Sequence, residues 1–210
     1  MAGVAHLRGK FITLEGVDGA GKSTHIPWIA QRLREAGHSV VVTREPGGTP
    51  LAETLRGLVL SQPMDPLAET LLLFAARADH VQRIIAPALE RGEWVLCDRF
   101  GDATIAYQGG GKGVSASLIA QLAESAHGAL RPDRTLVFDC SYEVSRERLQ
   151  AAGRTPDRFE AEGRAFFERV RSAYARLAQN EPGRVKLVDG AGSIEQIRKA
   201  LERQLEFDAR

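Results

Sequence analysis

At 210 residues, 43% hydrophobic and 26% charged, the chain is long enough to bury one extended sheet beneath helices and is of single-domain size. Its 28 basic and 27 acidic residues nearly cancel to a formal charge of +1, so there is no whole-chain case for binding nucleic acid or an anionic membrane, and any anion site must be local. Apolar stretches are of strand length, far below the roughly 20 residues that span a bilayer, and the first ten residues hold no signal-peptide core. Those features, with Cys97 and Cys140 placed as small buried hydrophobes at the ends of apolar runs, give the reading of a cytoplasmic protein.

The first apolar run, residues 11–14, predicts a buried strand. It is followed by Gly16-Val17-Asp18-Gly19-Ala20-Gly21-Lys22-Ser23, then Thr24 and a helical pattern over residues 22–36. Strand, G-x-x-x-x-G-K-[ST] and helix together make a phosphate loop. Its glycines let backbone N–H groups close on phosphate oxygens at a helix N-terminus. Lys22 is expected to neutralise the β- and γ-phosphates of a nucleoside triphosphate, and Ser23 to ligate Mg²⁺. Asp18 suits a ligand hydroxyl or the metal better than a phosphate.

A second strand is predicted over 40–43, ending in Arg44, Glu45, Pro46, Gly47, Gly48 and Thr49. A turn that caps the next helix, 51–60, accounts for Thr49 and Pro50 but leaves Arg44 and Glu45 unexplained. A long helix over 67–90 carries Phe74 and Arg77 three residues apart on one face. There the ring could stack on a base while the guanidinium meets a phosphate, or Phe74 could be core.

The third strand, 94–97, delivers Asp98, suited to Mg²⁺, and Arg99, suited to bidentate phosphate binding. Thr104, Tyr107 and Gln108 follow at spacings that share one side of a helical turn. The Gly109 to Gly113 stretch is too short to separate domains. Beyond it come a helix over 115–127, a strand over 135–138, helices over 142–150 and 161–178, a strand over 185–188 and a helix over 193–205. The turn at residues 189–192 is a candidate for adenine contacts. Five buried strands alternating with helices predict an α/β domain, a five-stranded parallel sheet with helices on both faces, spanning residues 1–210. Ligands then gather at the carboxyl ends of the strands.

These residues resemble the thymidylate kinases, P-loop nucleoside monophosphate kinases, along nearly the whole chain. The resemblance is carried by GVDGAGKST at 16–24, REPGGT at 44–49, LLLFAAR at 71–77, DRF at 98–100, AYQGGG at 106–111 and DRFE at 157–160. It implies transfer of the γ-phosphoryl group of ATP to dTMP, with Asp18 near the acceptor 3′-hydroxyl and Glu45 near metal-bound water. Arg77 and Arg99 would bind the acceptor phosphate, Phe74 stack on thymine, Thr104 and Gln108 address its polar edge, and Tyr107 pack beside the sugar. It also implies a homodimer and a mobile lid at about 146–160, whose Arg154, Arg148 and Arg158 are the candidate catalytic arginines.

The chain departs from the family at two points. Members often place the stacking phenylalanine four residues before the arginine, a position held here by Leu73. Gly19 stands where some members carry a catalytic arginine, which moves that charge to the lid. Of the rival readings, a switch GTPase requires an Asn-Lys-x-Asp motif, which the sequence lacks. A kinase of another nucleoside monophosphate or of a deoxynucleoside, and a non-catalytic nucleotide-binding scaffold, stay open.

Overall fold

The computed structural model describes residues 8–153 and 157–205. Its strands are β1 (Phe11–Gly16), β2 (Val40–Arg44), β3 (Trp94–Asp98), β4 (Arg134–Asp139) and β5 (Val185–Asp189). They form one sheet in the order β2-β3-β1-β4-β5, every neighbouring pair parallel. This is the α/β architecture expected from the alternation of strand and helix patterns.

The central strands are buried along their length, and full burial of a side chain such as Phe11 or Leu14 contributes about 1.5–3 kcal/mol. The expectation of five buried strands fails at the edges, where Val42 on β2 is 44% exposed and Leu187 on β5 is 51% exposed. An edge strand has a neighbour on one side only, and helices do not cover it to its rim. β1 also runs two residues past the expected end, through a fully buried Glu15. Cys97 and Cys140 are free and buried, as their apolar context predicts.

Helices α1 (Lys22–Glu35), α2 (Pro50–Ser61), α3 (Pro66–His80) and α4 (Ala86–Glu90) precede β3, with a π-type turn, Val81–Ile85, joining α3 to α4. Thr49 caps α2 by accepting from Ala52 N, with Pro50 at the first position. After β3 come α5 (Gly101–Thr104), continued by a π-helical segment Ile105–Gly111, then α6 (Ala116–His127), α7 (Tyr142–Ala151), α8 (Arg164–Asn180) and α9 (Ile194–Leu205). Because β3 lies beside β1, Asp98 pairs with Leu14 and Arg99 N bonds to Leu14 O at 2.9 Å. That register brings the end of β3 against the start of the 16–23 loop.

Candidate active site

The loop after β1 is shaped by what glycine permits. Gly16 has φ 125° and a Cβ there would lie 2.1 Å from Phe138 O, while Gly19 has φ 75° and its Cβ would lie 2.7 Å from Ser145 O. Only glycine combines that backbone with that closeness. The loop ends on Gly21, which precedes α1 in a left-handed conformation, and α1 has no side-chain cap and no acidic residue in its first turn. Its first N–H groups therefore lack a side-chain partner and carry the positive end of the helix dipole. Lys22 curls back over the loop, Nζ donating to Gly16 O and Val17 O at 3.1 Å each. Burial first, and then the nearby Arg99, lower its pKa, a strain that an anion would relieve. Ser23 and Thr24 are exposed at the loop's end.

Beside the loop lies an open cavity, about 660 Å³ when the solvent at its mouth is counted. It is lined by Asp18, Glu45, Arg77, Arg99, Thr104, Tyr107 and Gln108, so the structure brings these expected residues to one place. Arg99, at φ 71°, donates through Nη2 to Asp18 Oδ1 at 2.6 Å and Tyr107 Oη at 3.1 Å, and through Nη1 to Gly16 O at 2.9 Å. Tyr107 Oη donates in turn to Asp18 Oδ2 at 3.0 Å. Burial alone would raise the Asp18 pKa, but the Arg99 guanidinium and Lys22 ammonium outweigh it and hold the carboxyl below its usual range.

Glu45 meets the site through protein partners. It is buried, Oε2 accepting from Arg77 Nε at 2.7 Å and Oε1 bonded to His80 Nδ1 at 3.1 Å, so it holds both side chains of α3 in place. Arg77 Nη2 donates to Phe100 O at 3.1 Å and Thr104 Oγ1 at 3.0 Å. Its buried Nη1 has no hydrogen-bond partner among the described residues.

Phe74 needs correction, since it does not line this cavity. Its ring lies 4.9 Å from the Arg77 guanidinium carbon and faces a separate hollow with Ile119 and Ala173. Leu73 lines the cavity instead, because one residue along a helix turns a side chain by about 100°.

Asp98 caps β3 with a buried Oδ1 that has no hydrogen-bond partner among the described residues. An unpaired carboxylate oxygen and the exposed Ser23 hydroxyl are hard oxygen donors of the kind Mg²⁺ takes, so the residues fit that ion.

The expected lid arginines separate. Arg148 reaches the phosphate loop, Nη1 donating to Gly19 O at 3.3 Å and to Gly190 O at 2.7 Å, and so ties the loop to the β5–α9 turn. Arg158 goes to the acceptor side, donating to Val59 O and to Glu69. Arg154 lies outside the described residues.

Several lining residues carried no assigned role in the sequence reading. Arg56 on α2 lines the cavity, its Nη1 donating to Pro46 O at 3.0 Å, and looked in sequence like the polar side of an ordinary helix. Asp157 and Phe159 also line it, and the DRFE stretch was the only signal that pointed to them. Glu15 lies beneath the site, accepting from Phe100 N and from Tyr174 Oη at 2.7 Å each. Its charge looked like the end of a strand.

Comparison with known proteins meets this geometry at each level. The model of the thymidylate kinase family matches residues 14–201. A thymidylate kinase of Bordetella petrii is 57% identical over 199 residues, 95% of this chain and 96% of that protein. One of Cupriavidus metallidurans is 56% identical over 196 residues, 93% of this chain and 97% of that protein. The crystal structure of thymidylate kinase from Ehrlichia chaffeensis superposes with a TM-score of 0.77 at 34% identity, covering 95% of this chain and 99% of that one. The chain belongs to the thymidylate kinase family, whose activity is the ATP-dependent phosphorylation of dTMP.

Proposed function

We propose that this chain transfers the γ-phosphoryl group of ATP to dTMP, giving dTDP and ADP, with the phosphate loop as donor site and the adjoining cavity as acceptor site. The observation that carries the reading is the arrangement at their junction. Asp18, inside the loop, is bonded to Arg99 and Tyr107, which line the cavity, so a phosphate held by Arg99 lies next to phosphates held by the loop.

In this reading the loop amides and Lys22 hold the ATP phosphates, and Arg99, with Arg56 beside it, holds the acceptor phosphate in line with them. An acceptor phosphate is already a nucleophile, so position and positive charge suffice and no strong general base is needed. Asp18 and Tyr107 fit the sugar. Arg77, its charge matched by Glu45, is better suited to donate Nη1 to a base carbonyl than to hold a dianion. Thr104 and Gln108 complete that edge, and Leu73 supplies an apolar wall. Ser23 and Asp98 would hold Mg²⁺, which when bound neutralises phosphate charge. Arg148 brings a further cation to the loop. Closure of a lid at 146–160 over one 210-residue domain is part of the same proposal, as is a cytoplasmic setting, which two unpaired cysteines suit.

A homodimer belongs to the reading too. Leu67 and Leu71 on α3 are 45% and 47% exposed, one helical turn apart, a stripe that a second copy would cover. Sedimentation at micromolar concentration is expected to give a dimer, and a monomer contradicts it. The catalytic reading is tested by ADP release from ATP and Mg²⁺ with a panel of nucleoside monophosphates and nucleosides. Stimulation by dTMP well above the ATP background is expected, and a background rate with dTMP contradicts it.

A further inference from the structure

Glu69 on α3 is fully buried, does not line the acceptor cavity and is no part of the phosphate loop. Among the described residues, three donors converge on it. Gln108 Nε2 donates to Oε1 at 2.7 Å, Lys112 Nζ donates to Oε2 at 2.7 Å, and Arg158 Nη2 donates to Oε2 as well. We infer that Glu69 is a positioning residue that sets base specificity by dictating which end of the Gln108 amide faces the acceptor cavity; the inference rests on the dTMP reading above.

An amide can offer either its NH₂ or its oxygen to a neighbour, and rotation by half a turn exchanges them. A carboxylate between two cations offers acceptors only, so Gln108 must turn its NH₂ to Glu69. The amide oxygen, which bonds to none of the described residues, is left for the cavity that Gln108 lines. Thr104, one helical turn before Gln108, fixes Arg77 through Nη2, and Nη1 has no partner among the described residues.

The wall thus presents an acceptor at Gln108 beside a donor at Arg77. Thymine answers that order with its N3–H donor and O4 acceptor. Cytosine reverses it, setting a ring-nitrogen lone pair against the Gln108 oxygen and an amino group against the arginine N–H. A site built on buried hydrogen bonds rejects such a mismatch far more strongly than an apolar pocket rejects a methyl group.

Glu69→Gln keeps the shape and changes only the rule. Lys112 and Arg158 draw the oxygen of the new amide, its NH₂ then faces Gln108, and Gln108 must turn over to offer N–H to the cavity. The readout is the ratio of kcat/KM for dTMP to that for dCMP. E69Q is expected to lower the ratio at least about tenfold, with the KM for ATP changed less than about threefold. Lys112→Met removes a cation from the same carboxylate but leaves the Gln108 bond, and is expected to keep the ratio within about twofold.

A folded E69Q enzyme with the wild-type ratio overturns the inference, and so does a K112M enzyme that loses it. If E69Q does not fold, hydrogen exchange of the Gln108 side-chain NH₂ in the wild-type protein decides. Slow exchange is expected from a buried bond to a carboxylate, and exchange at the solvent rate overturns the inference. A wild-type enzyme idle with dTMP would sink the acceptor assignment and this inference with it. An active wild type whose ratio survives E69Q sinks only the role given to Glu69.

Discussion

Glu15 lies in β1 immediately before Gly16, the first residue of the phosphate loop, and its carboxyl pKa is raised from 4.5 to about 7, by burial first and by the nearby Asp102 second. Between those values the folded chain binds a proton that the unfolded chain has released, so this group's contribution to stability declines as pH rises through the window. A shift of that size corresponds to roughly 3 kcal/mol lost between pH 4.5 and 7. Glu15→Gln removes the titration and keeps an acceptor for Phe100 N. Urea unfolding at pH 5 and pH 7.5 is expected to show a smaller fall in stability for the variant than for the wild type, and equal falls contradict the burial argument.

Arg99 is the other residue on which the site turns, since it meets Asp18, Tyr107 and Gly16 at once. Arg99→Ala is expected to lower kcat/KM for dTMP by about 10²–10³ while the KM for ATP moves less than about threefold. Its positive φ adds strain to any ordinary replacement. Arg99→Asn, which tolerates that backbone, should therefore show the same loss if missing charge is the cause. Equal effects on both substrates contradict the acceptor role. Lys22, Asp18, Arg99 and Gln108 were legible in the sequence because each stands at a strand end or at a fixed spacing within a motif. The choice between Leu73 and Phe74 was not, since both positions lie near Arg77 along a helix and only the packing of α3, against α6 among others, decides which one lines the cavity. The pairing of Glu45 with Arg77 and His80 was not legible for a similar reason, as both partners are more than thirty positions away in sequence.

At the scale of elements, the glycine run after Gln108 acquires a physical cause. It is the end of the π-helical segment Ile105–Gly111, and it lets that segment pack directly on α8. A Cβ on Gly110 would lie 2.6 Å from Ala173 Cβ, and one on Gly111 2.5 Å from Phe166 Cε2. Alanine is favoured over glycine in a helix by about 1 kcal/mol, whereas overpacking costs about 1–3 kcal/mol, so the clash wins. Gly110→Ala is expected to lower the melting temperature and, by shifting the segment that carries Thr104, Tyr107 and Gln108, to reduce kcat/KM for dTMP more than for ATP. An unchanged or more stable enzyme contradicts the close-packing account. In sequence the run was only a stretch too short to separate domains, because the partner that explains it lies some sixty residues downstream.

For the molecule as a whole, the decisive feature is the sheet order β2-β3-β1-β4-β5. The alternation of strand and helix patterns foretold a parallel sheet, and residues 11–14 and 94–97 were recognisable as strands. That β3 lies directly beside β1 depends on long-range pairing, which the strand and helix patterns do not specify. Once met, it brings Asp98 and Arg99 to the phosphate loop and makes one crevice of two sites. The most direct measurement on that crevice follows label from γ-³²P-ATP after incubation with dTMP and Mg²⁺. Label recovered in dTDP, one for each ADP formed, is the predicted result; label recovered only as inorganic phosphate, with dTMP unchanged, would contradict it.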